Sequence, residues 1–142
     1  MKNHTLNTLS WLRMMRFIRN SNHASQQFLQ DVKLTPAQFD ALAQIYHHAP
    51  LTQSELAQHL LLTEGSISRM LTRLEKDGYI CRTQNWKTKT IALTNTGKML
   101  IEKVLPQQTH FQSSLFEQAL TKEEQKQLYK LLTKLHKSSE GY

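Results

Sequence analysis

At 142 residues, with one cysteine and a formal net charge of +7, the chain is long enough for one domain and excludes an intrachain disulfide framework. No apolar run approaches the roughly 20 residues of a membrane span, and the first residues lack the apolar core of a signal peptide. We therefore expect a cytoplasmic protein with no membrane partner. The basic excess, with a pI near 9.7, permits a polyanionic partner.

The first element is predicted to be a long helix over residues 5 to 31, which contain no glycine or proline. Apolar side chains recur there at every third position: Leu6, Leu9, Leu12, Met15 and Ile18. A second helix should follow, because Thr35 can cap it, Pro36 suits its first position and Gln38 can complete a capping box. It should end near His48, and Pro50 separates it from the next segment.

Residues 52 to 78 have the pattern of a helix, a short turn and a second helix. Thr52 and Glu55 are predicted to form a capping box, in which each side chain accepts from an otherwise unpaired backbone N–H. Thr63 can cap the second helix, and Gly78 can end it in the left-handed conformation. The first helix has an inward stripe made by Leu56, Ala57 and Leu60.

The second helix of this pair has two distinct faces. Its apolar positions, which should pack on a core, are Ile67, Met70, Leu71 and Leu74. Its other positions are small, hydroxylated or basic: Gly65, Ser66, Arg69, Thr72, Arg73 and Lys76. Such a face suits a DNA major groove. Residues 66 to 89 contain six bases and two acids, so this segment contributes +4 of the total charge.

A β-hairpin is predicted directly after Gly78. Residues 79–83 and 89–93 are rich in strand formers and flank QNWKT, so Asn85, Trp86 and Lys87 should form the tip. A hairpin that follows a groove-reading helix makes a winged helix-turn-helix. Basic residues on such a wing commonly reach the DNA backbone or the minor groove.

Two helices are predicted after the hairpin. Thr94 can cap the first, which Pro106 should kink or interrupt, and Thr121 with Glu124 forms a capping box for the last. The last helix has leucines at helical spacing: Leu128, Leu131, Leu132 and Leu135. One protomer is too small to bury the apolar faces of the first helix and of the last two helices at once. We therefore expect a homodimer that binds an inverted repeat.

The fold class expected from these elements is mainly α (α+β), a winged helix-turn-helix with long terminal dimerisation helices and a short hairpin wing. We expect a single domain over residues 1–142. Within it, residues 35–94 are the DNA-binding core, and residues 1–34 and 95–142 are the dimerisation helices.

Three stretches, LTQSELAQHL, GSISRMLTRLEKDGYI and IALTNTGKML, resemble the MarR family of bacterial transcriptional regulators. The resemblance extends over nearly the whole chain. It implies a triangular dimer with interlocked termini, DNA read by the fourth helix and wing, and ligands bound between the dimer region and the reading heads. By position, four residues match those that family members use on bases and phosphates: Ser66, Ser68, Arg69 and Arg73.

The wing departs from the family pattern. Relatives usually carry an Asp-x-Arg element and a second arginine in a wing about three residues longer, whereas this chain has QNWKTK. Asn85 and Lys87 stand approximately where relatives have the aspartate and the arginine, but lysine cannot make the bidentate hydrogen bonds of an arginine guanidinium. Backbone contacts of shorter reach are therefore expected, with Trp86 either at the tip or folded onto the hairpin.

We hypothesise a ligand-responsive repressor that binds double-stranded DNA as a homodimer, with a small-molecule effector and no cofactor. The expected DNA-binding residues are Ser66, Ser68, Arg69, Thr72, Arg73, Lys76, Arg82, Asn85, Lys87 and Lys89. No glycine-rich phosphate loop, GxSxG elbow, HExxH motif or cysteine pair indicates an enzyme.

Two alternatives remain open. The same fold can serve as a protein-interaction module without a DNA role, or as a sensor operated by a metal or a thiol. Cys81 does not match the reactive cysteine of oxidant-sensing relatives, which lies near their first helix. The seven histidines show no ligand spacing typical of a metal site, so we expect Cys81 to be inert and no metal to bind.

Overall fold

The computed structural model describes residues 5–60 and 62–141, which form six α-helices and one two-stranded hairpin. The elements in chain order are α1 (Leu6–Leu29), α2 (Pro36–His48), α3 (Gln53–His59), α4 (Glu64–Lys76), β1 (Ile80–Asn85), β2 (Thr88–Leu93), α5 (Asn95–Ala119) and α6 (Lys122–Ser139). A short 3-10 helix, Gln30–Val32, follows α1. The predicted mainly helical winged helix-turn-helix class is confirmed.

Most of these helices have a threonine at the N-cap position, as predicted. Thr35 and Thr121 form reciprocal capping boxes with Gln38 and Glu124, and Thr63 accepts from the Ser66 N–H at 3.3 Å. Each hydroxyl satisfies a backbone donor that has no partner inside its helix.

The capping box predicted at Thr52 is only half formed. The Thr52 hydroxyl oxygen accepts from the Glu55 N–H at 3.1 Å. The Glu55 carboxylate, however, accepts from that same hydroxyl at 3.2 Å instead of from the Thr52 backbone N–H. A hydroxyl can donate as well as accept, and here it competes with the N–H for the carboxylate. The prediction of a reciprocal box was wrong at this helix.

The buried core lies within the part of the chain that ends near Val104. Its members come from the end of α1, from α2, α3 and α4, from both strands and from the start of α5, and they include Leu29, Leu42, Ile45, Leu56, Ile67, Leu71, Leu74, Ile80, Ile91, Ile101 and Val104. On its outer side, the Tyr46 hydroxyl of α2 donates to Glu102 of α5 at 3.3 Å. The Glu102 carboxylate raises the pKa of Tyr46, because it disfavours the phenolate.

The hairpin is longer than predicted and its turn is shorter. The strands pair antiparallel from Ile80 opposite Leu93 to Asn85 opposite Thr88, so only Trp86 and Lys87 form the turn. Leu51 adds a bridge to the other side of β2, where its N–H and carbonyl pair with Ile91 at 3.4 and 2.7 Å. That bridge ties the hairpin to the segment just before α3.

Of the kink or interruption predicted at Pro106, the interruption was wrong, because α5 continues through this residue. A proline removes its own N–H from the hydrogen-bond ladder, but helical geometry can continue on both sides of it. The chain divides into two compact units at this point, one ending at Pro106 and one beginning at Gln107. Across the described residues, no helix carries an apolar stretch of the length that a bilayer crossing requires.

Candidate nucleic-acid interface

Helix α4 turns one face to the core and the other to solvent, as its sequence predicts. Ile67, Leu71 and Leu74 are fully buried, and Met70 packs against them. Most of the predicted site residues on the opposite face are exposed: Ser68, Arg69, Thr72, Arg73 and Lys76. Ser66 is half-buried, and its hydroxyl accepts from the Thr63 hydroxyl in the N-terminal cap at 3.0 Å.

The C-terminus of α4 is fixed by a glycine in the left-handed conformation. Gly78 has a φ of 85°. Its N–H donates to the Glu75 carbonyl at 3.0 Å, and the Tyr79 N–H donates to the Leu74 carbonyl at 3.0 Å. This is the Schellman arrangement, which ends a helix and turns the chain sharply. The turn sends the chain from α4 directly into the hairpin.

Both acids of residues 66–89 pair with bases of the same segment. Arg73 Nε lies 3.3 Å from Asp77 Oδ2, and Arg82 Nε lies 3.7 Å from Glu75 Oε2. The remaining bases have no acidic partner among the residues that the structure describes, and these are Arg69, Lys76, Lys87 and Lys89. The net charge of +4 in this segment is therefore carried by these four bases.

Arg82 links the hairpin to α4. Its guanidinium donates to the Thr72 hydroxyl at 3.4 Å and approaches Glu75, while its side chain remains 27% exposed. The Thr72 hydroxyl in turn donates to the Ser68 carbonyl at 2.9 Å. The structure thus directs Arg82, one of the predicted DNA-binding residues, toward the protein instead of outward.

The predicted residues of the hairpin do not share one face. Lys89 pairs with Gln84, two positions from the Arg82–Ile91 pair, whereas Asn85 lies on the opposite face because side chains alternate along a strand. Lys87 lies in the turn, with its ammonium 4.9 Å from the centroid of the Trp86 ring. Trp86 is 83% exposed, so it projects from the tip and does not fold onto the hairpin.

The base of the hairpin is held by one predicted contact and by others that the sequence did not indicate. The Thr94 hydroxyl accepts from the Gly97 N–H at 3.0 Å, which is the predicted cap of α5, and it also donates to the Gly78 carbonyl at 2.6 Å. A Cβ added at Gly97 would collide with the Tyr79 backbone. The signal was the glycine in the first turn of a helix, where it is otherwise unfavourable.

The metal-sensor and thiol-sensor alternatives depend on the histidines and on Cys81 in the described residues. No group of three or more His, Cys, Asp or Glu side chains within them could hold a metal ion. His48 and His59 stack in parallel, with ring centroids 4.4 Å apart, and link the ends of α2 and α3. Cys81 is an exposed strand residue opposite Ala92.

Several known proteins are similar to this chain. A family model described as the MarR family matches residues 34–87. An HTH-type transcriptional regulator from Bacillus cereus is 56% identical over 140 residues, which cover 99% of this chain and 95% of that protein. The transcriptional repressor MdtR from Bacillus subtilis is 31% identical over 75% of this chain and 70% of its own length. The crystal structure of the S. aureus MepR–DNA complex aligns with a TM-score of 0.80 at 30% identity, covering 92% of this chain and 97% of that one.

Proposed function

The chain belongs to the MarR family, and we propose that it is a homodimeric repressor. It occupies a palindromic operator and releases this operator when a small-molecule effector binds. Residues 35–94 act as the DNA-binding core, and residues 1–34 and 95–142 supply the dimerisation helices. The similarity to a named repressor and to a regulator solved on DNA supports this proposal.

The observation that carries the proposal is the exposed face of α4. It combines basic side chains with small hydroxylated ones, which allow a helix to approach the base edges closely. The residues proposed to contact the duplex are Ser66, Ser68, Arg69, Thr72, Arg73, Lys76, Asn85, Lys87 and Lys89. Arg82 adds positive charge at this surface while it holds the hairpin against α4.

Release of the operator requires an effector that binds two conformations of the dimer with different affinity. The effector would favour a spacing of the two reading helices that does not fit successive major grooves. A ligand with equal affinity for both spacings would leave DNA binding unchanged, however tightly it bound.

A salt series on selected operators tests the proposed function. Operators are first selected from random duplex, and binding of the full chain is then measured by fluorescence anisotropy at increasing salt. We expect the logarithm of the association constant to fall linearly, with a slope of about −0.9 for each phosphate contacted. Absence of binding to any duplex at low salt would contradict the proposal and favour a protein-interaction module.

A further inference from the structure

The tip of the hairpin combines an exposed indole with an unusual backbone conformation. Trp86 is 83% exposed and has a φ of 61°, in the left-handed region that side chains rarely adopt. Two-residue hairpin turns favour glycine, asparagine or aspartate at such a position. A large apolar ring held in water on an unfavourable backbone is a feature that folding alone does not explain.

The charge around Trp86 favours a polyanionic partner. Residues 78 to 101 contain no aspartate or glutamate, and Arg82, Lys87 and Lys89 are all on the hairpin. The Lys87 ammonium lies against the Trp86 ring, 4.9 Å from its centroid, so positive charge and aromatic surface are presented together. A nucleic acid provides phosphates for the charge and flat, partly apolar surfaces for the ring.

The length and attachment of the hairpin allow its tip to reach beyond the groove that α4 would occupy. Arg82 fixes the hairpin beside Thr72 and Glu75 on α4. Four steps from Arg82 to Trp86 span about 13 Å at the usual strand rise. A major groove and the minor groove next to it are separated by about half of the roughly 34 Å helical turn, so the tip and its projecting indole come close to that distance.

We propose, on the basis of the proposed function, that Trp86 enters the minor groove beside the major groove occupied by α4 and selects A·T over G·C pairs there. The indole Nε1–H can only donate. An A·T pair offers only acceptors in the minor groove, whereas a G·C pair adds the guanine 2-amino donor, which opposes the indole. Lys87, beside the ring, adds a phosphate contact that does not depend on the base pair.

Fluorescence tests whether Trp86 is covered by DNA. The chain contains two tryptophans, so Trp11→Phe leaves Trp86 as the single reporter. We expect acrylamide quenching of this variant to fall when an alternating A·T duplex is added at low salt. Unchanged quenching under conditions where anisotropy of a labelled duplex shows complete binding would overturn the placement of Trp86.

Duplexes of different base pairs test the selectivity of Trp86, and the proteins in this experiment retain Trp11. Affinities of wild type, Trp86→Phe and Trp86→Ala are compared on short alternating duplexes of A·T, G·C and I·C pairs. Inosine lacks the 2-amino group, so its minor groove resembles that of A·T. We expect wild type to bind A·T and I·C duplexes about three- to tenfold more tightly than Trp86→Phe, as for one hydrogen bond, and to bind G·C no more tightly than Trp86→Phe.

The outcomes separate this inference from the proposed function. The same ratio of wild type to Trp86→Phe on all three duplexes would overturn the inference and leave DNA binding intact. No binding of wild type to any duplex would overturn both. Loss of affinity in Trp86→Ala but not in Trp86→Phe would show that the ring packs on the duplex without reading the bases, which also contradicts selection by the N–H.

Discussion

Two arginines on the exposed face of α4 have different electrostatic surroundings. Arg73 pairs with Asp77 at 3.3 Å, whereas Arg69 has no acidic partner in the described part of the chain. An exposed pair of this kind contributes about 0.3–0.5 kcal/mol, so Arg73 can exchange Asp77 for a guanine or a phosphate. Where the arginine makes a bidentate hydrogen bond to a guanine, we expect Arg69→Ala or Arg73→Ala to weaken operator binding by about 1–3 kcal/mol. The same substitution should reduce the sequence specificity at that base pair.

Competition binding on operators with single base-pair substitutions measures both effects. Lys134→Ala is the control, because it removes one positive charge outside residues 66–89. Lys87→Ala should weaken binding to all sequences alike and reduce the salt slope by about 1, as a phosphate contact does. Equal affinity of wild type and the Arg69→Ala, Arg73→Ala double variant would show that α4 does not read the operator.

Gly97 is required by the close approach of α5 to the base of the hairpin. An added Cβ would meet the Tyr79 carbonyl oxygen and lie 2.9 Å from its carbonyl carbon. That carbonyl also accepts from the Thr94 N–H at 3.0 Å, so it cannot move freely. We expect Gly97→Ala to lower the free energy of unfolding by about 1–3 kcal/mol, measured by denaturant titration.

Gly65→Ala is the matched control for this prediction, since Gly65 also lies in the first turn of a helix. No atom lies within 4 Å of a Cβ added at Gly65. Alanine is favoured over glycine in a helix by about 0.5–1 kcal/mol, so the stability should be equal or higher. A denaturation midpoint of Gly97→Ala equal to that of wild type would argue against the close approach.

The N-terminal cap of α6 contains a carboxylate, so the stability that this cap contributes should depend on pH. The Glu124 carboxylate accepts from the Thr121 N–H at 2.9 Å, and its bonds to the Thr121 backbone and side chain hold the pKa of Glu124 below its ordinary 4.5. A lowered folded-state pKa stabilises the fold fully above pH 4.5, and this stabilisation is lost as the pH falls through the folded-state value. We expect the Tm advantage of wild type over Glu124→Gln to be constant down to about pH 5 and to shrink in stronger acid.

Thermal unfolding followed by circular dichroism at a series of pH values measures this difference. Glu123→Gln removes the same charge one residue earlier and leaves the capping hydrogen bonds intact. The Tm difference between Glu123→Gln and wild type should therefore change less with pH than the Tm difference between Glu124→Gln and wild type. A Tm advantage over Glu124→Gln that persists unchanged to about pH 3 would mean that the capping carboxylate does not stabilise α6 through its charge.

The starts and faces of the helices could be predicted because they depend on residues three or four positions apart. Thr35, Thr63 and Thr121 cap as their local sequence indicates. The buried face of α4 likewise follows from its apolar spacing. At Thr52 the same rule failed, since a hydroxyl that can both donate and accept left two local arrangements open.

The contacts that fix the candidate site could not be predicted, because they join residues distant in sequence. Leu51 pairs with Ile91, and Gly97 meets Tyr79, only once the hairpin has folded back. The direction of Arg82 depends on Thr72 and Glu75 of another element. The sequence placed the basic residues on α4 and the hairpin, but it did not distinguish an outward base from one that holds the hairpin.

Large apolar side chains are exposed to water on α1 and on α6. On α1, Leu6, Trp11 and Met15 are 78%, 63% and 57% exposed. On α6, Leu131 and Leu135 are 59% and 57% exposed. Exposed apolar side chains that cluster on a helix are typical of interaction surfaces, and we expect a second copy of the chain to cover them. The dimer would also bring two reading helices to one side of the duplex.

We expect the Leu131→Glu, Leu135→Glu double variant to be a folded monomer, because both side chains are exposed within the protomer and the charges would be buried only in the dimer. Light scattering at micromolar concentration measures the mass, and circular dichroism checks that the helices persist. Lys130→Glu changes the charge on another side of α6 and should leave the dimer intact. The monomer should bind a palindromic operator weakly, because each half-site must then be occupied independently. A wild-type chain that is itself monomeric at this concentration would contradict both the dimer and the inverted-repeat operator.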